Sequence, residues 1–338
     1  MTEGRPTMND VARRAGVSLK TVSRVVNGET TVDPELVARV RAAVATLHYR
    51  PHLGASMLRR NDPRTGIIGL LLGDVGDPFS AMLHRAVQDQ ARARGLHVLT
   101  ASLDADADRE RELARAFAHR HADGLILAPV GPDQSYLALD LPPDIPVVFV
   151  DRPALGFAGD TVLAGNLAGA ADGVRHLLGY GHRRIAYLGD HPRLATARDR
   201  HRGYLRALDG RPGPVVHDLH DPAAAERAAI SVLRGPDPPT AILAGQNLIT
   251  VGVVRALRRL GRHRSVALVG CDDLPLADLL EPAVTVVAAD PARIGRTAAD
   301  ALFERIDGRD DPPREIRIPT TLIPRGSGEI TGGPTGSW

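Results

Sequence analysis

The chain has 338 residues, 43% apolar and 24% charged, a balance that excludes wholesale disorder and exceeds the usual length of one domain. A single cysteine, Cys271, excludes disulfides and multi-cysteine zinc sites, and a single lysine, Lys20, among 42 basic residues excludes P-loop and Schiff-base chemistry. The polar start lacks an apolar signal core and no run of about 18 apolar residues occurs, so a soluble cytoplasmic protein with no membrane partner is expected.

Net charge is +2, unevenly spread. Residues 1–60 carry ten basic and five acidic side chains, whereas the remainder is mildly acidic. A basic head on an acidic body suggests that the head alone meets a polyanion.

The head begins with Thr7 and Asp10 spaced as a reciprocal N-cap, opening a helix over Met8–Ala15. Gly16-Val17 breaks it, and Ser18 caps a second helix, Leu19–Val26. That helix turns Val22, Val25 and Val26 inward and Leu19, Lys20, Ser23 and Arg24 outward. Asn27-Gly28 ends it. A third helix starts at Asp33-Pro34 with Val37, Val40, Val44 and Leu47 as its inner stripe. Two short helices joined by a glycine turn and crossed by a third make a helix-turn-helix, whose second helix reads the major groove. A three-helix interaction module with a solvated basic face is the alternative.

The run from Met8 to Gly28 resembles the DNA-binding signature of the lactose/galactose-repressor family of bacterial transcription regulators. Asp10-Val11-Ala12, Ala15-Gly16-Val17-Ser18 and Thr21-Val22-Ser23-Arg24-Val25 carry the match. The resemblance implies that Leu19 and Lys20, after the capping serine, read bases. Thr7, Ser18, Thr21, Ser23, Arg24 and Asn27 complete the DNA-facing set. It continues through Tyr49-Arg50-Pro51 into a hinge that orders on DNA, with Leu58 as the minor-groove wedge. His52 stands where many members have asparagine, and Gly54 disfavours a free helix there.

From Pro63 onward, apolar runs alternate with helical stretches. Strands are expected at Gly66–Leu72, His97–Ser102, Gly124–Val130, Val147–Asp151, Ile185–Gly189, Val215–Leu219, Ala241–Ala244, Val266–Gly270 and Val284–Ala288. Helices are expected at Ser80–Arg94, Asp108–His121, Leu167–Gly179, Asp221–Leu233, Leu248–Leu260 and Pro291–Ile306. The pattern describes two α/β lobes with parallel sheets covered on both faces. Ligands bind such lobes at the carboxyl ends of the strands. There the sequence puts Asp74, Asp77, Asp151-Arg152, Asp190, Gln246-Asn247 and Asp272-Asp273, a polar set suited to a small hydroxylated ligand.

The body resembles the same family's effector domain, which is periplasmic-binding-protein-like. Asp77-Pro78-Phe79, Val150-Asp151-Arg152, Gly181-His182-Arg183-Arg184, Thr196-Ala197-Arg198 with Arg200, and Gly270 with Asp272-Asp273 carry the match. By resemblance Phe79, Asp151, Thr196, Arg200, Gln246 and Asp272 line the effector cleft, with Arg200 as the anchor and His182 in a structural turn. Gln246-Asn247, Gly165-Asn166, Ala289 and Cys271 depart from the family pattern, so a different effector is expected. Cys271, ending an apolar strand, reads as a core residue rather than a redox sensor.

The division expected is a head at 1–50, a hinge at 51–62, a two-lobed effector and dimerisation domain at 63–327, and a flexible tail at 328–338. The function expected is a ligand-controlled repressor of carbohydrate or related metabolic genes. It binds a pseudo-palindromic double-stranded operator as a homodimer and takes a sugar or related metabolite. Neither cofactor nor metal is expected, and no catalysis. The alternatives are a transporter's solute-binding protein, which would need a signal sequence, and an α/β enzyme on sugars or nucleotides, which would need a nucleophile, lysine or metal motif; none of these is read here.

Overall fold

The computed structural model describes residues 6–26, 29, 31–49, 64–208 and 213–332. They form two compact units that divide between Thr65 and Gly66.

The head contains α1 (Met8–Ala15), α2 (Leu19–Val26) and α3 (Pro34–Thr46). Thr7 and Asp10 form the expected capping box, and Gly16 ends α1 at φ 64, in the left-handed region that favours glycine. Arg39 on α3 donates to the carbonyls of Ala15 (2.7 Å) and Gly16 (3.0 Å), clamping the turn. Val11, Ala15, Val22, Val40 and Ala43 form the core. Ala43 fills a place expected of Val37, which is only half-buried: on α3, residue 43 follows 40 by nearly one turn and faces inward with it.

The body has two lobes, each a six-stranded sheet between helical layers. The first sheet has the order β11-β5-β4-β3-β1-β2 and is parallel throughout. It comprises β1 (Ile67–Leu72), β2 (His97–Ser102), β3 (Gly124–Leu127), β4 (Val147–Val150), β5 (Asp160–Ala164) and β11 (Glu315–Ile318). One face carries α4 (Pro78–Ala93) and α11 (Pro291–Ile306), the other α5 (Ala107–His119) and α6 (Leu137–Asp140). The second sheet, β12-β10-β9-β8-β6-β7, comprises β6 (Ile185–Leu188), β7 (Val215–Val216), β8 (Ala241–Ala244), β9 (Ala267–Cys271), β10 (Thr285–Ala288) and the antiparallel β12 (Thr321–Ile323). Its faces are covered by α7 (Asn166–Gly179) with α8 (Ala195–Leu208), and by α9 (Pro222–Leu233) with α10 (Asn247–Arg259). β1, β3, β4, β6, β8 and β9 are buried almost end to end, which their unbroken apolar sequences require.

The chain crosses between lobes three times: from β5 into α7, from β10 into α11, and from β11 into β12. Both helix pairs of the second lobe meet at a glycine. A Cβ on Gly203 would lie 2.2 Å from the carbonyl oxygen of Leu167, and one on Gly252 2.4 Å from that of Pro222. Only the absence of a side chain permits these approaches.

Strands β5, β11 and β12 and helices α6 and α8 were not anticipated. Packing also continues past residue 327: the Thr285 hydroxyl donates to the Glu329 carboxylate at 2.8 Å, His176 meets that carboxylate, and Gly332 donates to Tyr180 O at 2.9 Å. The expected tail starts too early, because Glu329 has partners on β10 and α7, of which Thr285 is fully buried.

Candidate DNA-reading helix and ligand cleft

At the start of α2, Ser18 Oγ accepts from Thr21 N at 3.1 Å and lies 2.9 Å from Thr21 Oγ1. These hydroxyls and that of Thr7 set the helix starts. Leu19 and Lys20 are exposed, Leu19 at 40%. Ser23 is half-buried on the same helix. Arg24 is held at the surface of the head: Nε donates to Glu29 at 2.8 Å and Nη2 to the Thr31 hydroxyl at 2.6 Å, so it braces the segment after α2. Asn27, His52 and Leu58 lie outside the described residues.

In the body, Arg200 is the hub. Buried on α8, it donates from Nε to Asn166 Oδ1 (2.8 Å) and from Nη1 to Gly245 O (2.8 Å), and its Nη2 pairs with Asp272 Oδ2 at 2.8 Å. The ends of β8 and β9 and the start of α7 are thus tied to one guanidinium. Burial opposes its charge, but Asp272, and at longer range Asp151, more than offset that, so Arg200 stays cationic. Asp272 is harder to ionise than a solvated carboxyl because it is buried; Arg200 counteracts this and the Asp151 charge adds to it. Asp151, on the first lobe, is therefore electrostatically coupled across the cleft to the Arg200–Asp272 pair of the second.

Asp151 and Asp272 both have φ 64, an uncommon backbone for a non-glycine residue. Such strain concentrates at functional sites. Beside Asp151, Arg152 Nη1 donates to Pro129 O at 3.2 Å, while its buried Nε has no hydrogen-bond partner; Asp151 Oδ2 lies 3.4 Å from that Nε. Gln246 caps no backbone group of α10, and its Oε1 is likewise buried and unpartnered. A donor with only a long ion pair on one lobe and an acceptor without a hydrogen bond on the other are groups that a polar ligand can satisfy.

Of the six expected cleft residues, the fold pairs Arg200 with Asp272, sets Asp151 within electrostatic reach of that pair, and places Gln246 beside Gly245, an Arg200 partner. Thr196 is half-buried one turn before Arg200 on α8. Phe79 packs against the core of the first lobe. Sequence reasoning did not include Asn166, the acceptor for Arg200. The signal was the Gly165-Asn166 departure at the start of α7. Asp77 and Asn247 were seen as strand-end polar residues but not as a pair; Asn247 Nδ2 donates to Asp77 Oδ1 at 2.8 Å.

Cys271 is buried among Tyr187, Val269 and Val287, and burial pushes its thiol up to about 12. At neutral pH it is a protonated core side chain. His182 lies between the Thr240 hydroxyl (2.9 Å) and Ile330 O (2.8 Å), a structural role. Among the described residues no group of three His, Cys, Asp or Glu could hold a metal ion, and no helix is long and apolar enough to cross a membrane.

Comparison with known proteins agrees with both halves. A model described as bacterial regulatory proteins, lacI family, matches residues 7–52, and one for a periplasmic binding protein-like domain matches residues 174–328. The HTH-type transcriptional repressor PurR of Erwinia tasmaniensis is 30% identical over 97% of this chain and 98% of its own length. A candidate ribose operon repressor from Burkholderia thailandensis is 35% identical, with a TM-score of 0.69 over 77% of this chain and 99% of that one. The Lac repressor dimer bound to operator and the anti-inducer ONPF shares the fold, with a TM-score of 0.83 at 23% identity over 96% of this chain and 99% of its own. The present chain belongs to the lacI family of bacterial regulatory proteins and is a DNA-binding transcription repressor that responds to a small ligand.

Proposed function

We propose that this repressor acts in the cytoplasm as a homodimer on a pseudo-palindromic operator, without catalysis, and takes an uncharged, hydroxyl-rich metabolite such as a sugar in the cleft of its body. Each head reads one half-site through Leu19 and Lys20, and two-fold symmetry supplies the second. Leu58 wedges the central step, and His52 belongs to the DNA-facing set, with histidine in place of the family's frequent asparagine.

One observation carries the ligand assignment. Arg200 is bound by Asn166, Gly245 and Asp272, which leaves Asp151, Asp272 and Gln246 to present acceptors to a ligand rich in donors. An anionic ligand would find both cleft arginines already beside carboxylates, Arg200 beside Asp272 and Arg152 beside Asp151. Arg200 thus organises the cleft more than it anchors the ligand. Ligand binding shifts DNA affinity by its differential affinity for two states of the protein. The ribose operon repressor among the relatives supports a sugar, and the Lac repressor dimer supports the assembly.

The test is selection of bound fragments from a genomic library by the full chain, followed by footprinting with and without sugars, sugar phosphates, nucleosides and purines. Protection of a palindromic site altered by one uncharged compound is expected. A protein that prefers no fragment, or responds only to sugar phosphates, overturns the assignment.

A further inference from the structure

The pairing of Asp77 with Asn247 joins the two lobes through the starts of two helices. Asp77 is the N-cap of α4 on the first lobe, accepting from Ser80 N at 3.3 Å through Oδ2. Asn247 is the first residue of α10 on the second lobe, and its Oδ1 accepts from Leu248 N at 2.6 Å. Each side chain serves its own helix with one oxygen. The remaining Asp77 oxygen and the Asn247 amide then meet at 2.8 Å. Asn247 is only 4% exposed, so its amide would be costly to leave unpaired. The positive ends of both helices also favour a negative charge at this point, and Gln246 supplies no side-chain cap that would compete for it.

We infer that the Asp77–Asn247 hydrogen bond is a latch between the lobes that holds the cleft closed in the absence of any ligand. The chemistry assigns each partner its type. The charge sits on Asp77 and the donor on Asn247, and a carboxylate at both positions would set two like charges at hydrogen-bond distance. Exchanging the two residues moves the charge to the other lobe but keeps one carboxylate, one amide and both local capping oxygens, since Asn and Asp cap helices about equally.

The test uses the full chain with spin labels on Leu139→Cys in the first lobe and Arg234→Cys in the second, diluted into unlabelled protein. Cys271 is buried and protonated, and leaves the introduced thiols as the reactive ones. Pulsed dipolar distances are measured without ligand for wild type, Asn247→Asp, Asn247→Ala and the exchanged pair Asp77→Asn with Asn247→Asp. Asn247→Asp is expected to cut the closed-distance population about tenfold, as loss of a charge-assisted bond would. Asn247→Ala opens the cleft less, because it removes the donor without adding repulsion, and the exchanged pair recovers the wild-type distribution. An unchanged distribution in Asn247→Ala, or an exchanged pair as open as Asn247→Asp, overturns the latch; should Asn247→Asp fail to fold, the other two variants still decide. The readout needs no ligand, so it stands or falls separately from the sugar assignment.

Discussion

Asp151 and Asp272 occupy equivalent points of the two lobes. Each follows the fourth strand of its sheet, each has φ 64, and each donates its N–H to the next strand, to Val162 O at 3.1 Å and to Val287 O at 2.9 Å. The repeated left-handed step turns one carboxylate from each lobe to the carboxyl edge of its sheet. Asparagine tolerates this backbone. Asp151→Asn should therefore keep the fold yet weaken ligand binding at least tenfold, a loss of about 1.4 kcal/mol, whereas Asp272→Asn should weaken binding and also lower the stability of the body, because Arg200 loses its buried partner. Isothermal titration with the selected ligand measures it, and unchanged affinity in both variants removes the pair from the site.

Arg200→Ala tests the hub differently. It leaves Asp272 buried without its cation, and breaking such a pair costs about 3–5 kcal/mol. Lower stability of the body is expected along with a lost ligand response, while specific DNA binding by the head persists below the new unfolding temperature. Urea denaturation checks the first part, and a stability within 1 kcal/mol of wild type contradicts the hub.

Lys20→Ala should change operator preference or reduce specific over non-specific binding by about 1–3 kcal/mol per half-site. Arg24→Ala, by contrast, should act mainly through stability of the head, because Glu29 and Thr31 already hold that guanidinium. A randomised operator library bound by each variant separates the two outcomes. Identical preferences for Lys20→Ala and wild type contradict base reading by Lys20.

Asp160 is buried between Arg305 and Arg314, at 3.0 and 3.2 Å. Burial resists its ionisation, but the hydrogen bonds from Arg305 and Arg314 prevail and hold the carboxyl well below its ordinary 3.8. Its contribution is therefore complete above 3.8, the value it regains on unfolding, and is lost as pH falls below that. Asp160→Asn should cost about 3 kcal/mol at pH 7 and flatten the acid limb of the stability curve, measured by urea denaturation from pH 7 to 3.

His182 gives a second pH signature. Burial lowers it from 6.5, only partly offset by its bond to Ile330 O, so the unfolded chain takes up a proton below 6.5 that the native chain refuses. Stability is full above 6.5 and falls as pH drops below it. His201 shifts the same way, through burial and the facing His217. His182→Gln should reduce the slope between pH 6.5 and 5 without abolishing it, and an unchanged slope contradicts the assignment.

Much of this was legible in the sequence because it is local. α1 and α2 were placed to the residue by Thr7, Gly16 and Ser18, and the buried strands by their unbroken apolar runs. α8 was not legible: ATARDRHRGYLRAL is polar on most of its surface and has Gly203 in its interior, where only contact with Leu167 explains it. β5, β11 and β12 are three to five residues long, and two of them owe their existence to pairing across more than 30 positions. The cleft acids were visible as strand ends. That Asn166 holds Arg200, or that Asp77 meets Asn247 170 positions away, depends on packing that no local pattern encodes.

The three crossings between lobes also bear on biosynthesis. The sheet of the amino-terminal lobe is completed by β11 at Glu315–Ile318, and its core includes Ile294, Leu302 and Phe303 of α11. A chain emerging from the ribosome can finish its helix-turn-helix within the first fifty residues, but it cannot finish the first lobe until Glu315–Ile318 has been made. Until then the edge of β5 and the face beneath α11 stand uncovered, and any truncation before α11 removes part of the first lobe's core.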